Sequence, residues 1–368
     1  MNTLTELYIY PIKSTKGIQL KQTTVEEKGL KDDRRYMLVD NNGQFITGRT
    51  NPELTQITIA FSKNGLLVSA PKQDSFYIQP EHFSEQLITV QVWSDTLTAQ
   101  HCHHDYDQWF SSFLKQDCKL VYFADSSSRC VKNKQTQVSF ADGYPLLLIN
   151  QSSVDHLNTL LDTPVTALNF RPNIIIKGDA PFIEDGWARI KIGEVEFEVS
   201  KPCSRCNFTN VDPKTGVADL QQPLSTLAQF RYNSEKGDID FGQNLIPLNE
   251  GIIRTDDVIE VLATQQAPSY SSMLSEPGVN QKPIQLYFSQ SDLKITGNDK
   301  ELLLDQAEKA GINIPYSCRG GKCGRCKTKL LSGEVNMLST QGLFTEEIEA
   351  GYILACSSIP TTDISIEH

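Results

Sequence analysis

The chain has 368 residues, 39% hydrophobic and 21% charged, with a net charge of -11. That length allows two or three domains, each with its own core. The acidic balance disfavours nucleic acid as a partner, and the longest apolar runs, such as YPLLLIN at 144–150, are too short to span a membrane.

Residues 1–105 are predicted as a β-rich unit. LTELYIYPIKS, RRYMLVD, GLLVSA and LITVQVW are rich in β-branched and aromatic residues and are bounded by Gly, Asn, Asp and Pro. A helix is predicted at DYDQWFSSFL, with Asp105 as its cap and Trp109, Phe110, Phe113 and Leu114 as its apolar stripe. A second unit, 106–263, carries a helix opened by Ser152 and Asp155, then strand-like PNIIIKG, ARIKIGEVEFEVS and DDVIEVLA. The serine- and proline-rich stretch 264–283 reads as a linker. Beyond it, 284–368 is predicted as a separate domain, with a hairpin at IQLYFSQ and LKITGN and a helix that Asn298 opens and Gly311 closes. The fold class expected is mixed α+β, mainly β: a barrel-rich body with a separate β-grasp domain. The N-terminus lacks the pattern of a secretory signal. The expected compartment is therefore the cytoplasm, where the nine cysteines serve as ligands, nucleophiles or core residues rather than disulfides.

The strongest motif is SCRGGKCGRCKT. Cys318, Cys323 and Cys326 stand in C-x4-C-x2-C spacing and Cys356 follows in ILACS, the pattern of a plant-type [2Fe–2S] cluster. Gly320, Gly321 and Gly324 suit a tight loop whose N–H groups face the sulfurs. A four-cysteine zinc site more often shows two C-x2-C pairs. The domain resembles plant-type ferredoxins over nearly all of 284–368. Such a cluster moves one electron at a time, so residues 1–263 must hold a donor, an acceptor or a docking handle.

A flavin reductase is one reading of the upstream region, but RRYM puts Met37 where its signature needs a hydroxyl, and no G-x-G-x-x-G turn follows a strand. The pair Cys203 and Cys206 in KPCSRC has the spacing of a dithiol or half a zinc site, without partners for either. YPIKSTKG, DRRYMLVD, NFRPNIII, CSRCNFTNVDPKTG, PLSTLAQFR and FGQNL, in that order, resemble the signature blocks of MOSC-domain proteins. With its ferredoxin, the chain is similar to the YcbX-like branch of that family and is related to the mitochondrial amidoxime-reducing component.

That resemblance implies a molybdenum cofactor with Cys206 as the protein thiolate on the metal. Arg205 and Lys201 are expected to favour the thiolate. The blocks imply pterin-binding roles for Lys13, Ser14, Arg35, Arg49 and Arg171, and Asn150 and Ser152 begin a helix whose N-terminus could meet an anion. The implied activity is reductive cleavage of the N–O bond in N-hydroxylated bases and amidoximes. Electrons would come through the chain's own cluster from a separate NAD(P)H-dependent flavoprotein reductase. The bland reading of Arg35 and Arg171 is pairing with Asp32, Asp33 or other carboxylates. Two other functions stay open: a sulfur carrier with a Cys206 persulfide, and a non-catalytic electron carrier with a docking barrel. HCHHD at 101–105 reads as a loop before a helix rather than a metal site, and Glu346, Glu347 and Glu349 read as a solvated helix face.

Overall fold

The computed structural model describes residues 2–219, 221–272 and 281–368. The alternation in LTELYIY places the strand Thr3–Ile9 at the heart of the body. Leu4, Leu7 and Ile9 enter one core, while Tyr8 and Tyr10 enter the core on the other face. A bulge between Leu4 and Glu6 keeps Leu4 on the same face as Leu7. This strand pairs with Ile174–Lys177 and Ile18–Leu20 inside a 9-stranded sheet. The sheet continues through Leu146–Asn150, Asp238–Pro247, Val195–Ser204, Trp187–Ile192 and Ile259–Thr264. The chain's first strand thus lies among strands of the second unit.

A 4-stranded sheet holds Tyr36–Val39, Lys119–Tyr122, Asp95–His101 and Leu87–Val92, and a 3-stranded sheet holds Thr58–Ser62, Gly65–Ala70 and Gln73–Ile78. The helix His104–Leu114 buries Tyr106, Phe110 and Leu114, with Trp109 and Phe113 packed at the edge of the same core. It starts one residue before the predicted point, because His103 Nδ1 accepts the Asp105 N–H at 3.2 Å and takes the capping role. The helix predicted from Ser152 likewise runs Gln151–Asn158, capped by Asn150.

Pro283–Phe288 and Leu293–Asn298 form the predicted hairpin, in a 5-stranded sheet with Ile364–Glu367, Lys327–Ser332 and Tyr352–Leu354. Helix Leu303–Lys309 buries Leu303, Leu304 and Ala307 in the core that also holds Cys326 and Cys356. Its start falls later than predicted, because Asn298 Oδ1 binds the N–H groups of Lys300 and Glu301 in a turn ahead of it.

The first half of the expected linker is anchored. Gln265 N donates to Gly186 O at 2.8 Å, Ser271 N donates to Tyr232 O at 2.9 Å, and the Tyr270 ring lies 3.9 Å from the Arg231 guanidinium. The aromatic ring supplies burial that a reading for Ser and Pro overlooks. Residues 273–280 of that stretch lie outside the described residues.

Arg231 is itself a keystone of the body. Its guanidinium is buried and donates to both Asp185 oxygens, at 2.7 and 3.1 Å, and Gln243 Nε2 adds a bond at 2.6 Å. Removing one partner leaves the other charge buried and unpaired. Asp185→Ala is expected to lower stability by about 3–5 kcal/mol, read as a fall in the chemical-unfolding midpoint of the body. An unchanged midpoint would contradict this. Among the described residues no helix is long and apolar enough to cross a membrane.

Candidate functional site

Two bulges, between Val199 and Lys201 and between Pro202 and Ser204, re-aim the end of strand Val195–Ser204. The chain then turns at Cys206, whose carbonyl accepts Thr209 N at 3.1 Å and Thr209 Oγ1 at 2.9 Å, and enters the short 3-10 helix Asn207–Asn210. Cys203 and Cys206 line one cavity together with Lys13, Ser14, Arg34, Arg49 and Arg171. Burial pushes the Cys203 thiol up.

The group on the Cys206 sulfur is Arg49, whose Nε donates to Sγ at 3.2 Å. Arg205 is not available for that task. Its guanidinium is buried and donates to Phe241 O at 2.7 Å and Phe170 O at 3.2 Å, and Lys201 is exposed. Arg49 is held from three sides: it lies 4.3 Å over the Trp93 ring, bonds Thr47 Oγ1 at 3.0 Å and pairs with Asp142 at 3.0 Å. Asp142 also takes Lys13 Nζ at 2.5 Å and Trp93 Nε1 at 3.3 Å. Desolvation raises the Asp142 pKa, but the charges of Lys13 and Arg49 outweigh it and hold the carboxyl below the usual carboxylate range. Burial pulls Lys13 down to about 8 even though Asp142 opposes the shift.

Arg171 sits in left-handed backbone at φ 56° and lies 4.1 Å over the Tyr10 ring. Its Nη2 is buried and has no hydrogen-bond partner among the described residues. Burial lowers its pKa to about 10.

Three expected site residues are not brought here. Arg35 turns away and donates to Phe123 O at 3.2 Å; its neighbour Arg34 lines the cavity instead. The reason is local: Arg34 has φ 48° and ends a turn just before strand Tyr36–Val39, so successive side chains diverge. Asn150 is spent as a structural clamp. Its Oδ1 takes Ser152 N and Gly178 N, both at 3.0 Å, and its Nδ2 donates to Ala180 O and Glu184, both at 2.9 Å. Ser152 Oγ donates to Gly178 O at 2.8 Å. Asp142 and Arg34 are the residues that sequence reasoning missed. Arg34 stands inside the quoted DRRYMLVD block, and Asp142 lies in the ADG turn ahead of YPLLLIN.

The cluster loop is shaped by Gly321 and Gly324, at φ 74° and 71°. Gly320 N and Lys322 N point at Cys318 Sγ, at 3.4 and 3.5 Å, and Cys356 N points at Cys326 Sγ at 3.4 Å. The sulfurs meet in pairs, Cys318 with Cys323 and Cys326 with Cys356, and Cys318 also reaches Cys356. The buried Arg319 guanidinium ties this loop to Asp305 and Glu308 of the helix Leu303–Lys309.

The two sites meet. Asn207, next to Cys206, donates its N–H to the carbonyl of Ser317, next to Cys318, at 2.7 Å. Asn207 Nδ2 adds a bond to Tyr316 O at 3.2 Å.

Ligand atoms of His103, His104 and Asp105 lie within 4.8 Å of one another. His103 Nδ1 is already the helix cap, however, and His101 pairs with Asp107 at 2.7 Å, so the segment serves the helix.

Residues 1–117 match the MOSC N-terminal beta barrel domain, residues 135–260 the MOSC domain, and residues 287–361 the 2Fe-2S iron-sulfur cluster binding domain. Fold and site thus define a MOSC protein with a built-in iron–sulfur unit. The chain is 34% identical over 281 residues to the mitochondrial amidoxime-reducing component 1 of Mus musculus, covering 71% of this chain and 83% of that relative. It is 34% identical over 244 residues to the mitochondrial amidoxime reducing component 2 of Bos taurus, covering 63% of this chain and 73% of the relative. The chain belongs to the family of the amidoxime-reducing components, a family of oxidoreductases. Among solved structures, pectocin M2 is 37% identical with a TM-score of 0.22, over 23% of this chain and 32% of that one. The ferredoxin reductase in carbazole 1,9a-dioxygenase is 31% identical with a TM-score of 0.23, over 24% and 28%.

Both cofactors of such a protein find fitting residues. Four thiols gathered in pairs under backbone N–H groups suit a [2Fe–2S] cluster. A soft sulfur beside clustered cations, one with a buried unpartnered N–H, suits molybdenum on a phosphate-bearing pterin.

Proposed function

We propose that the chain reduces N-hydroxylated compounds, amidoximes and N-hydroxylated bases among them, cleaving the N–O bond to the amine and water. The observation that supports electron delivery is the hydrogen bond joining the neighbour of Cys206 to the neighbour of Cys318, and the N–O substrate is drawn from relatives named amidoxime-reducing components. When bound, the molybdenum cofactor supplies a two-electron centre, while the cluster passes electrons singly. Each N–O cleavage takes two electrons and two protons, so two passages through the iron–sulfur unit serve one turnover. The donor proposed for that unit is a separate NAD(P)H-dependent flavoprotein reductase.

The roles of the chain's residues follow from where they sit. Cys206 would hold the metal as a thiolate, with Arg49 Nε fixing its sulfur. Lys13 and Arg171 would receive the pterin phosphate, with Ser14 on the same wall; Arg34 backs them, its guanidinium held by Asp33 at 2.6 Å, Asn173 at 3.0 Å and the Arg171 carbonyl at 3.1 Å. Asp142 spaces Lys13 from Arg49 and keeps both pointed into the cavity.

The Lys13 charge brings a pH dependence. It is present below about 8 and lost as pH rises through that value. Uptake of molybdenum cofactor by cofactor-free protein is therefore expected to be level up to pH 7 and to weaken above about 8. Lys13→Arg should flatten the profile. An equally steep decline in that variant would assign the pH dependence to another group. The reading as a whole is tested by offering benzamidoxime and dithionite to the purified full-length protein. Benzamidine should form, and only with molybdenum present. Its absence would refute the proposed reaction.

A further inference from the structure

Beside the Cys206 cavity, and sharing Arg49 with it, lies a second cavity of about 560 Å³, within the range of small-molecule sites. Its walls come from both units. The body contributes Phe45, Trp93 and Asn207, and the iron–sulfur unit contributes Tyr316, Cys323 and Arg325. The Phe45 and Trp93 rings, 5.3 Å apart, offer an apolar surface of the kind that receives a flat conjugated group. Arg49 and Arg325 face Asp219 across the lining, so both signs of charge are present.

The iron–sulfur wall is fastened by several kinds of contact. Asn210 Nδ2 donates to the Tyr316 hydroxyl at 3.3 Å, adding to the Asn207 bonds already described. Leu302 and Ile359 join the body's apolar cluster around Phe170 and Phe241. Lys322 pairs with Asp238 of the body at 2.9 Å. The tightest approach is backbone on backbone: a Cβ on Gly320 would stand 2.1 Å from Gly237 O.

We propose that the docked iron–sulfur unit is one wall of the substrate site, with Tyr316 and Arg325 selecting which flat N-hydroxylated compounds reach Cys206. This rests on the function proposed above. Electron delivery and substrate selection then share one surface, because the docking that brings Ser317 to Asn207 also closes the cavity.

The test uses full-length protein carrying both cofactors, in its oxidised form so that no turnover occurs. Leu302→Glu puts a charge where the unit enters the body's apolar cluster, outside the cluster loop. Asp238→Lys sets like charges against Lys322 from the body's side and provides a second route to undocking. X-ray scattering in solution should show a larger radius of gyration in both variants, with the cluster's absorbance retained. Calorimetry should show benzamidoxime binding about tenfold more weakly in both. Arg325→Ala should weaken binding without changing the radius. The proposal is overturned if both undocking variants keep the wild-type radius, if they expand yet bind equally well, or if the wild type does not bind benzamidoxime. A wild type that binds it, loses affinity on undocking, and still fails to reduce it with dithionite would support the wall and refute only the reaction.

Discussion

Cys206→Ser is expected to abolish both molybdenum retention and reductive turnover, while Cys203→Ser keeps the metal and part of the activity. The two thiols are three residues apart and line the same cavity, so spacing alone does not separate them. Their surroundings do. Cys206 Sγ accepts a hydrogen bond from the Arg49 guanidinium, which fixes where the sulfur points. Burial raises the Cys203 thiol, whose polar contact among the described residues is with Ser204 O at 3.8 Å. Serine at 206 offers a hard oxygen where a soft donor is needed. Arg49→Ala, which leaves the sulfur but removes its hydrogen bond, should cost about 10–100-fold in metal affinity. Metal analysis of the purified variants reads all three, and full molybdenum in Cys206→Ser would transfer the ligand role to another residue.

The second large effect falls on the iron–sulfur unit. Cys326→Ser should remove the cluster and loosen that unit, because Cys326 and Cys356 are packed in its core with Leu304 and Phe288. The body's sheet and its Cys206 cavity draw their strands from residues 3–264, so molybdenum content should hold. Turnover driven by a flavoprotein donor should vanish, while turnover driven directly by a small chemical reductant should persist. Equal loss by both routes would mean that the cluster is required for more than passing electrons.

The cluster was the most legible part of the chain, since four cysteines at a defined spacing specify both a loop and its chemistry. Strand-forming runs such as LTELYIY and PNIIIKG were legible through alternation and β-branching, and they appear as Thr3–Ile9 and Ile174–Lys177. Lys13, Ser14, Arg49, Arg171 and Cys206, scattered over nearly two hundred positions, do converge on one cavity. The misses share a cause. Whether Arg34 or Arg35 faces the cavity depends on left-handed backbone at Asp32 and Arg34 in the turn, which a run of two arginines does not reveal. Arg205 looked like a thiolate's partner by adjacency, yet its guanidinium is consumed by the carbonyls of Phe241 and Phe170. Asp142 matters because folding brings Lys13 and Arg49 to it from distant segments. The meeting of Asn207 with Ser317 is a tertiary contact across more than a hundred residues, and no local pattern encodes it.

In the proposed reaction electrons pass from the [2Fe–2S] unit to the Cys206 site of the same chain and there break an N–O bond. A single-turnover experiment can follow both events at once. The full-length protein is reduced completely, freed of excess reductant and mixed anaerobically with benzamidoxime while cluster absorbance and benzamidine are followed together. The cluster should reoxidise as the amidine forms, and Cys206→Ser should do neither. Amidine formation with the cluster left reduced, or cluster oxidation without amidine, would contradict it.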